Sequence, residues 1–230
     1  MLPTVAVVTD IEGTTTPISF VRDVLFPYAR ERLPALLAER AGESAIAAEL
    51  AEVRRQAPGK PELETLLRWM DQDAKVTPLK ALQGILWREG YAAGTLKGAV
   101  YPDVPPALAR WKAAGLRLYV YSSGSVEAQK LIFGHSVAGD MTPLFSGFFD
   151  TRVGAKREPD SYARIAIGLG LPPAEVLFLS DIEAELDAAA AAGMCTCQLI
   201  RPQDGTAASE RHPGAADFAE VARRMGLPRG

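Results

Sequence analysis

Val5–Pro17 reads VAVVTDIEGTTTP, and every other functional stretch of the chain can be placed by its distance from Asp10. Val5, Ala6, Val7 and Val8 run without a break into Thr9 and Asp10, the pattern of a short buried strand that carries a carboxylate at its carboxyl end. In open parallel sheets, ligands bind at that edge. Glu12 follows, then Gly13, which permits a tight turn, then three threonines closed off by Pro17. Two carboxylates placed this way can act as nucleophile and proton shuttle, or hold a hard cation such as Mg2+ through oxygen. Taken in isolation, the same residues merely cap a turn.

The pattern changes after Pro17. Val21 to Arg40, Glu43 to Gln56, Pro61 to Asp73 and Pro78 to Gly90 carry apolar residues at three-and-four spacing, with Pro34, Gly42, Pro58 to Pro61 and Pro78 as punctuation. They predict four amphipathic helices, with Trp69, Met70 and Trp87 in their common core. The sheet pattern resumes near Pro102. A helix is expected from Asp103, its N-cap, to Ala114, then a strand Leu116 to Tyr121 that ends in Ser122, Ser123, Gly124 and Ser125 ahead of a helix from Val126. A strand, a small polar turn and a helix N-terminus together make an anion site, and this turn offers more hydroxyls than capping needs.

A short strand is expected at Phe148 to Asp150, and the segment TRVGAKREPDS (Thr151 to Ser161) precedes a helix Pro159 to Leu169. By itself Lys156 reads as a solvated charge. The strand VLFL (Val176 to Leu179) again runs into acids, Asp181, Glu183 and Glu185. A helix from Leu186 to Ala192, a strand from Met194 to Ile200 and a closing helix from Ala215 to Met225 complete the series. The fold class is therefore α/β, a doubly wound parallel sheet with an inserted helical cap: residues 1–17 and 99–230 as the core, 18–98 as the cap.

Composition bounds the partners. The chain has 230 residues, 48% hydrophobic and 23% charged, with a formal net charge of −3, so no basic excess points to nucleic acid. No apolar run reaches the length of a membrane span, and the N-terminus lacks the layout of a signal peptide, which makes a cytoplasmic location the expectation. Cys195 and Cys197, with only two histidines in the chain, are short of a zinc site and read as packed thiols.

Asp10 with Glu12, Ser122 with Ser123, and Asp181 with Glu185 stand at three successive strand ends, with Lys156 between the last two. In a parallel sheet those ends share one edge. This ordered set resembles the haloacid dehalogenase-like phosphohydrolases. More narrowly, DIEGTTTPISF, YSSGSVEAQKLIFGHS, GAKREPDSY and FLSDIEAE are similar to that superfamily's enolase-phosphatase branch, in which Glu rather than Asp stands two residues after the nucleophile. The resemblance implies Asp10 as nucleophile, Glu12 in proton transfer, Lys156 with Ser122 and Ser123 on the phosphate, and one Mg2+ per chain at Asp10, Glu12 and Asp181. Glu185 would orient Lys156. The implied substrate is a small phosphorylated diketone, 2,3-diketo-5-methylthiopentyl-1-phosphate; charge and hydropathy lead to the expectation of no nucleic acid and no membrane as partner, and a monomer is expected. A phosphatase of another small metabolite is the alternative within the superfamily, and a non-catalytic phosphate-binding regulator the alternative outside it.

Overall fold

The computed structural model describes residues 3–229, so the two first residues and the last residue of the expected core lie outside it. Six parallel strands form one sheet: β1 (Ala6–Thr9), β2 (Arg117–Tyr121), β3 (Gly147–Phe149), β4 (Val176–Ser180), β5 (Cys195–Leu199) and β6 (Gly214–Ala215), in the spatial order β3-β2-β1-β4-β5-β6. β1 and β4 are buried along their whole length, as central strands covered on both faces must be. The strand order reverses direction at β1, which has β2 on one side and β4 on the other. Such a switch point leaves a crevice at the carboxyl edge. Thr9 stands level with Val120 and with Leu179, so Asp10, Ser122 and Asp181 all leave the sheet just beyond one shared rung.

The chain divides into two compact units, Met1–Ile18 with Gly98–Gly230, and Ser19–Lys97. The second is helical. A short helix α1 (Ile18–Phe20) and a π-helical turn (Val21–Leu25) lead into α2 (Phe26–Arg40), followed by α3 (Ser44–Gln56), α4 (Glu62–Asp71) and α5 (Thr77–Ala92). Pro34 was expected to punctuate the first of these helices, but α2 runs through it. Leu33, Ile46, Leu66 and Leu82 are the buried centre of this unit, with Trp69, Met70 and Trp87 packed around them half-buried.

In the sheet unit the crossovers are α6 (Val104–Ala113), α7 (Val126–Gly134), α8 (Pro159–Leu169) and α9 (Glu183–Ala191), and α10 (Phe218–Met225) closes the chain. Tyr121, Tyr162 and Phe178 pack edge to face or tilted in one aromatic group beneath the crevice, with Ile165 and Leu186 beside them. Two sequence expectations shift. The closing helix begins later than Ala215 because Gly214 and Ala215 pair with β5 as the edge strand β6. Asp103 precedes α6 but makes no side-chain cap, because its carboxylate is engaged elsewhere.

Candidate active site

The crevice above β1 is built on a turn that only glycine can complete. Gly13 has φ +70°, and a Cβ there would fall on the carboxylate of Asp181. The two motifs therefore touch through the one position with no side chain. The turn is tied internally: Gly13 donates to the Thr16 carbonyl at 2.9 Å, and the Thr15 hydroxyl donates to the Asp10 carbonyl at 3.1 Å. Thr14 joins the turn to β4, its hydroxyl accepting from the Asp181 amide at 3.0 Å and standing 3.5 Å from Asp181 Oδ1.

Lys156 is not a surface charge. Its Nζ lies 2.5 Å from Asp10 Oδ1 and 2.6 Å from Glu185 Oε2, with only 10% of the side chain exposed. The turn that delivers it is held by α8 and β2: Ser161 donates to the Ala155 carbonyl at 2.7 Å, Tyr162 to the Lys156 carbonyl at 2.7 Å, and Tyr121 to the Gly154 carbonyl at 3.0 Å. Gly154 has φ +142°, and a Cβ there would collide with the Ser161 hydroxyl. Glu185 is held in turn by Ser180, which donates to its Oε2 at 3.0 Å. A buried chain thus runs Ser180, Glu185, Lys156, Asp10.

Burial is costly to the ammonium, but Asp10 and Glu185 outweigh it and hold Lys156 above its ordinary value. The carboxylates move the other way. Burial, and then the charge of Asp10, push Asp181 up to about 7. Burial, and then Asp10, push Glu185 up to about 7 against the pull of Lys156. One ammonium among three buried carboxylates leaves a surplus of negative charge, which a bound cation would relieve.

Among the described residues no three of His, Cys, Asp and Glu are grouped to hold a metal. Asp10 and Asp181 do come together, both buried, and the Gly13 cradle at Asp181 leaves room that any side chain would fill. Two carboxylates with backbone oxygens and water is a donor set that suits Mg2+, which keeps several waters and takes few protein ligands. Glu12 is half-buried at the same turn.

Ser122 is buried at the shared edge, its hydroxyl accepting from the Gly124 amide at 3.2 Å, with Ser123 half-buried beside it. Ser125 caps α7, accepting from the Ala128 amide at 3.2 Å. The Val126 amide is engaged by Asp150 at 3.4 Å, so part of the donor set at this helix end is already used. Beside Asp181 a cavity of about 520 Å³ opens between Ile18, Ile182, Gln198 and Ser209. Gln198 sets its wall, donating to the Asp181 and Ala207 carbonyls at 2.9 and 3.0 Å. Sequence patterning gave no sign of Thr14, Ser180 or Gln198 as site residues, since a buried hydroxyl or amide in a strand end has no periodic signature.

A family model for haloacid dehalogenase-like hydrolases matches residues 4–193. A protein of Granulibacter bethesdensis named enolase-phosphatase E1 is 58% identical over 229 residues, covering 99% of both chains. One of the same name from Gluconacetobacter diazotrophicus is 57% identical, covering 97% of this chain and 95% of the relative. The crystal structure of the UTR4 protein of Saccharomyces cerevisiae superposes with a TM-score of 0.79 at 35% identity, covering 94% of this chain and 98% of that one.

Proposed function

Because the chain belongs to the haloacid dehalogenase-like hydrolase family and, within it, to the enolase-phosphatases, we infer that it is a phosphoric monoester hydrolase of methionine salvage. It enolises 2,3-diketo-5-methylthiopentyl-1-phosphate and hydrolyses the phosphate to give the acireductone 1,2-dihydroxy-3-keto-5-methylthiopentene. The observation that carries this reading is the buried Lys156 ammonium bridging Asp10 and Glu185 at the carboxyl edge of the sheet.

Asp10 is the nucleophile. An oxygen of its carboxylate attacks phosphorus, the bond from phosphorus to the substrate oxygen breaks, and that oxygen leaves with the electron pair and takes a proton. Water then hydrolyses the aspartyl-phosphate, releasing inorganic phosphate and restoring Asp10. Hydrolysis of phosphate monoesters needs acceleration of up to about 10^21-fold, whereas one acid or base supplies about 10^2- to 10^4-fold, so several groups must act together. Lys156 aligns the Asp10 carboxylate and offers its remaining donor to a phosphoryl oxygen, with Ser122 and Ser123 on the other equatorial oxygens. Glu185 keeps the Lys156 ammonium aimed and charged. When bound, Mg2+ supplies the positive charge that lets a carboxylate approach a phosphate dianion. Asp10, Asp181 and the backbone carbonyl at Glu12 would hold it.

The Glu12 carboxylate is thereby left for proton transfer, to the leaving oxygen and in the enolisation that precedes it. The reading requires no nucleic acid, membrane or second subunit, and it places the enzyme in the cytoplasm. Among the described residues no helix is long and apolar enough to cross a membrane.

The test is Mg2+-dependent phosphate release from the diketone phosphate, measured beside a panel of other phosphate esters, with enol formation followed by ultraviolet absorbance. Asp10→Asn should remain folded and release no phosphate, and Glu12→Asp should slow enolisation and, with it, the phosphate release that follows. Preference for another ester, or full turnover by Asp10→Asn, would overturn the reading.

A further inference from the structure

Arg201 follows β5 and is 4% exposed, although nothing in the reaction described above requires a cation there. Its guanidinium is engaged on several sides. Nη1 and Nη2 form a two-pronged pair with Asp103 at 3.1 and 3.0 Å, Nη1 also donates to the Ala216 carbonyl at 3.2 Å, and Nη2 donates to the Thr14 carbonyl at 3.0 Å. The plane lies over the Tyr101 ring, 4.0 Å from its centre. Tyr101 in turn bonds Asp204 through its hydroxyl, and its amide donates to the Thr15 carbonyl at 3.0 Å. Asp103 also accepts from the Phe218 amide at 2.9 Å. One side chain therefore ties the start of α6, the start of α10 and the loop after β5 to the turn that follows Asp10.

The point of attachment matters. Thr14 is fully buried, its carbonyl is held by Arg201 and its hydroxyl receives the Asp181 amide. That same hydroxyl also donates to Asp181 Oδ1, at the long distance of 3.5 Å. We infer that Arg201 is a positioning residue for the cation site: it fixes Thr14 from behind, and Thr14 fixes where the Asp181 carboxylate stands relative to Asp10. A bidentate, planar guanidinium is needed for this, because a lysine ammonium cannot span both oxygens of Asp103 and the Thr14 carbonyl at once. Residues that orient a metal ligand without touching the metal typically change affinity by about 10- to 100-fold when altered.

This inference rests on the phosphatase reading, and the experiment separates the two. Mg2+ alone is titrated into wild type, Arg201→Lys, Thr14→Val and Thr14→Ser by calorimetry, with thermal melts of each protein. Arg201→Lys and Thr14→Val should each weaken Mg2+ binding by about tenfold or more. Thr14→Ser, which keeps the hydroxyl, should stay near wild type. The double variant Arg201→Lys/Thr14→Val should lose less than the product of the two, since both act on one chain of contacts. Leu50→Ala, a cavity in the core of the helical unit outside this chain of contacts, should lower the melting temperature without changing Mg2+ affinity.

A folded Arg201→Lys with wild-type affinity overturns the inference. If that variant fails to fold, wild-type affinity in Thr14→Val does so instead. Equal losses in Leu50→Ala would show that any destabilisation has the same effect, and would overturn it as well. Failure of the phosphatase reading looks different, because then wild type itself shows no Mg2+-dependent phosphate release.

Discussion

Replacing Lys156 by Met removes the ammonium that bridges Asp10 and Glu185 while keeping an unbranched side chain of nearly the same length. In the native protein that ammonium lies within 2.5 Å of Asp10 and 2.6 Å of Glu185. Removing one partner of a buried ion pair typically costs about 3–5 kcal/mol, because the remaining charge stays buried without compensation. How much of that cost is realised depends on pH. Glu185 sits at about 7 in the folded protein, well above an ordinary glutamate. A carboxyl whose folded value is raised binds its proton more tightly when folded, so the stability it contributes is present at low pH and is lost as pH rises through that value. Lys156 pulls Glu185 down, so in the Met variant that value rises further, and below about pH 7 Glu185 is neutral there and Asp10 is the carboxylate that loses its partner. The destabilisation should be smaller below about pH 7 and grow as pH rises from below that value to above it, towards about 3–5 kcal/mol. Urea unfolding of metal-free wild type and variant across that range measures it. Turnover with saturating Mg2+ should fall by about 10^2- to 10^3-fold, the loss expected for a donor aimed at transition-state charge. A pH-independent difference of less than about 1 kcal/mol, the value of an exposed pair, would refute the claim that Lys156 is a buried bridge between two carboxylates.

Two further outcomes follow from the geometry. Gly13→Ala should destabilise the fold by at least about 1–2 kcal/mol from its positive φ alone, and should weaken Mg2+ binding because the new methyl occupies the place of the Asp181 carboxylate; calorimetry and melts of the same preparations report both effects. Of the two free cysteines, Cys195 is half-buried, whereas Cys197 is buried with its thiol pushed up to about 12 by desolvation. A maleimide should therefore label Cys195 in the native protein and reach Cys197 only on unfolding, as mass spectrometry of the labelled peptides would show.

Much of the site was legible because strand ends announce themselves. An apolar run that stops at Asp10, another at Ser122 and a third at Asp181 put chemistry-bearing residues at the one edge where a parallel sheet binds ligands. Lys156 was legible only through the motif around it, since a lysine in a charged loop has the composition of a solvated surface. What buries it is a set of local bonds from Ser161, Tyr162 and Tyr121 to three consecutive carbonyls, and none of these leaves a periodic trace in the sequence.

Arg201 and Asp103 mark where that kind of reading stops. Asp103 stands before a helix, as an N-cap would, and Arg201 stands in a loop, as a surface charge would, yet each is satisfied by the other across the fold. A buried charge requires a partner wherever in the chain that partner lies. Arg201 also reaches the Thr14 carbonyl, 187 residues away in the chain, and backbone oxygens carry no residue identity that a sequence could display. The catalytic groups are therefore written in side chains at strand ends, while their alignment is written in side-chain bonds to backbone. Substitutions at Arg201 or Thr14 should consequently act on how well the crevice holds its cation, those at Lys156 on the phosphoryl transfer itself, and those at Asp10 on both.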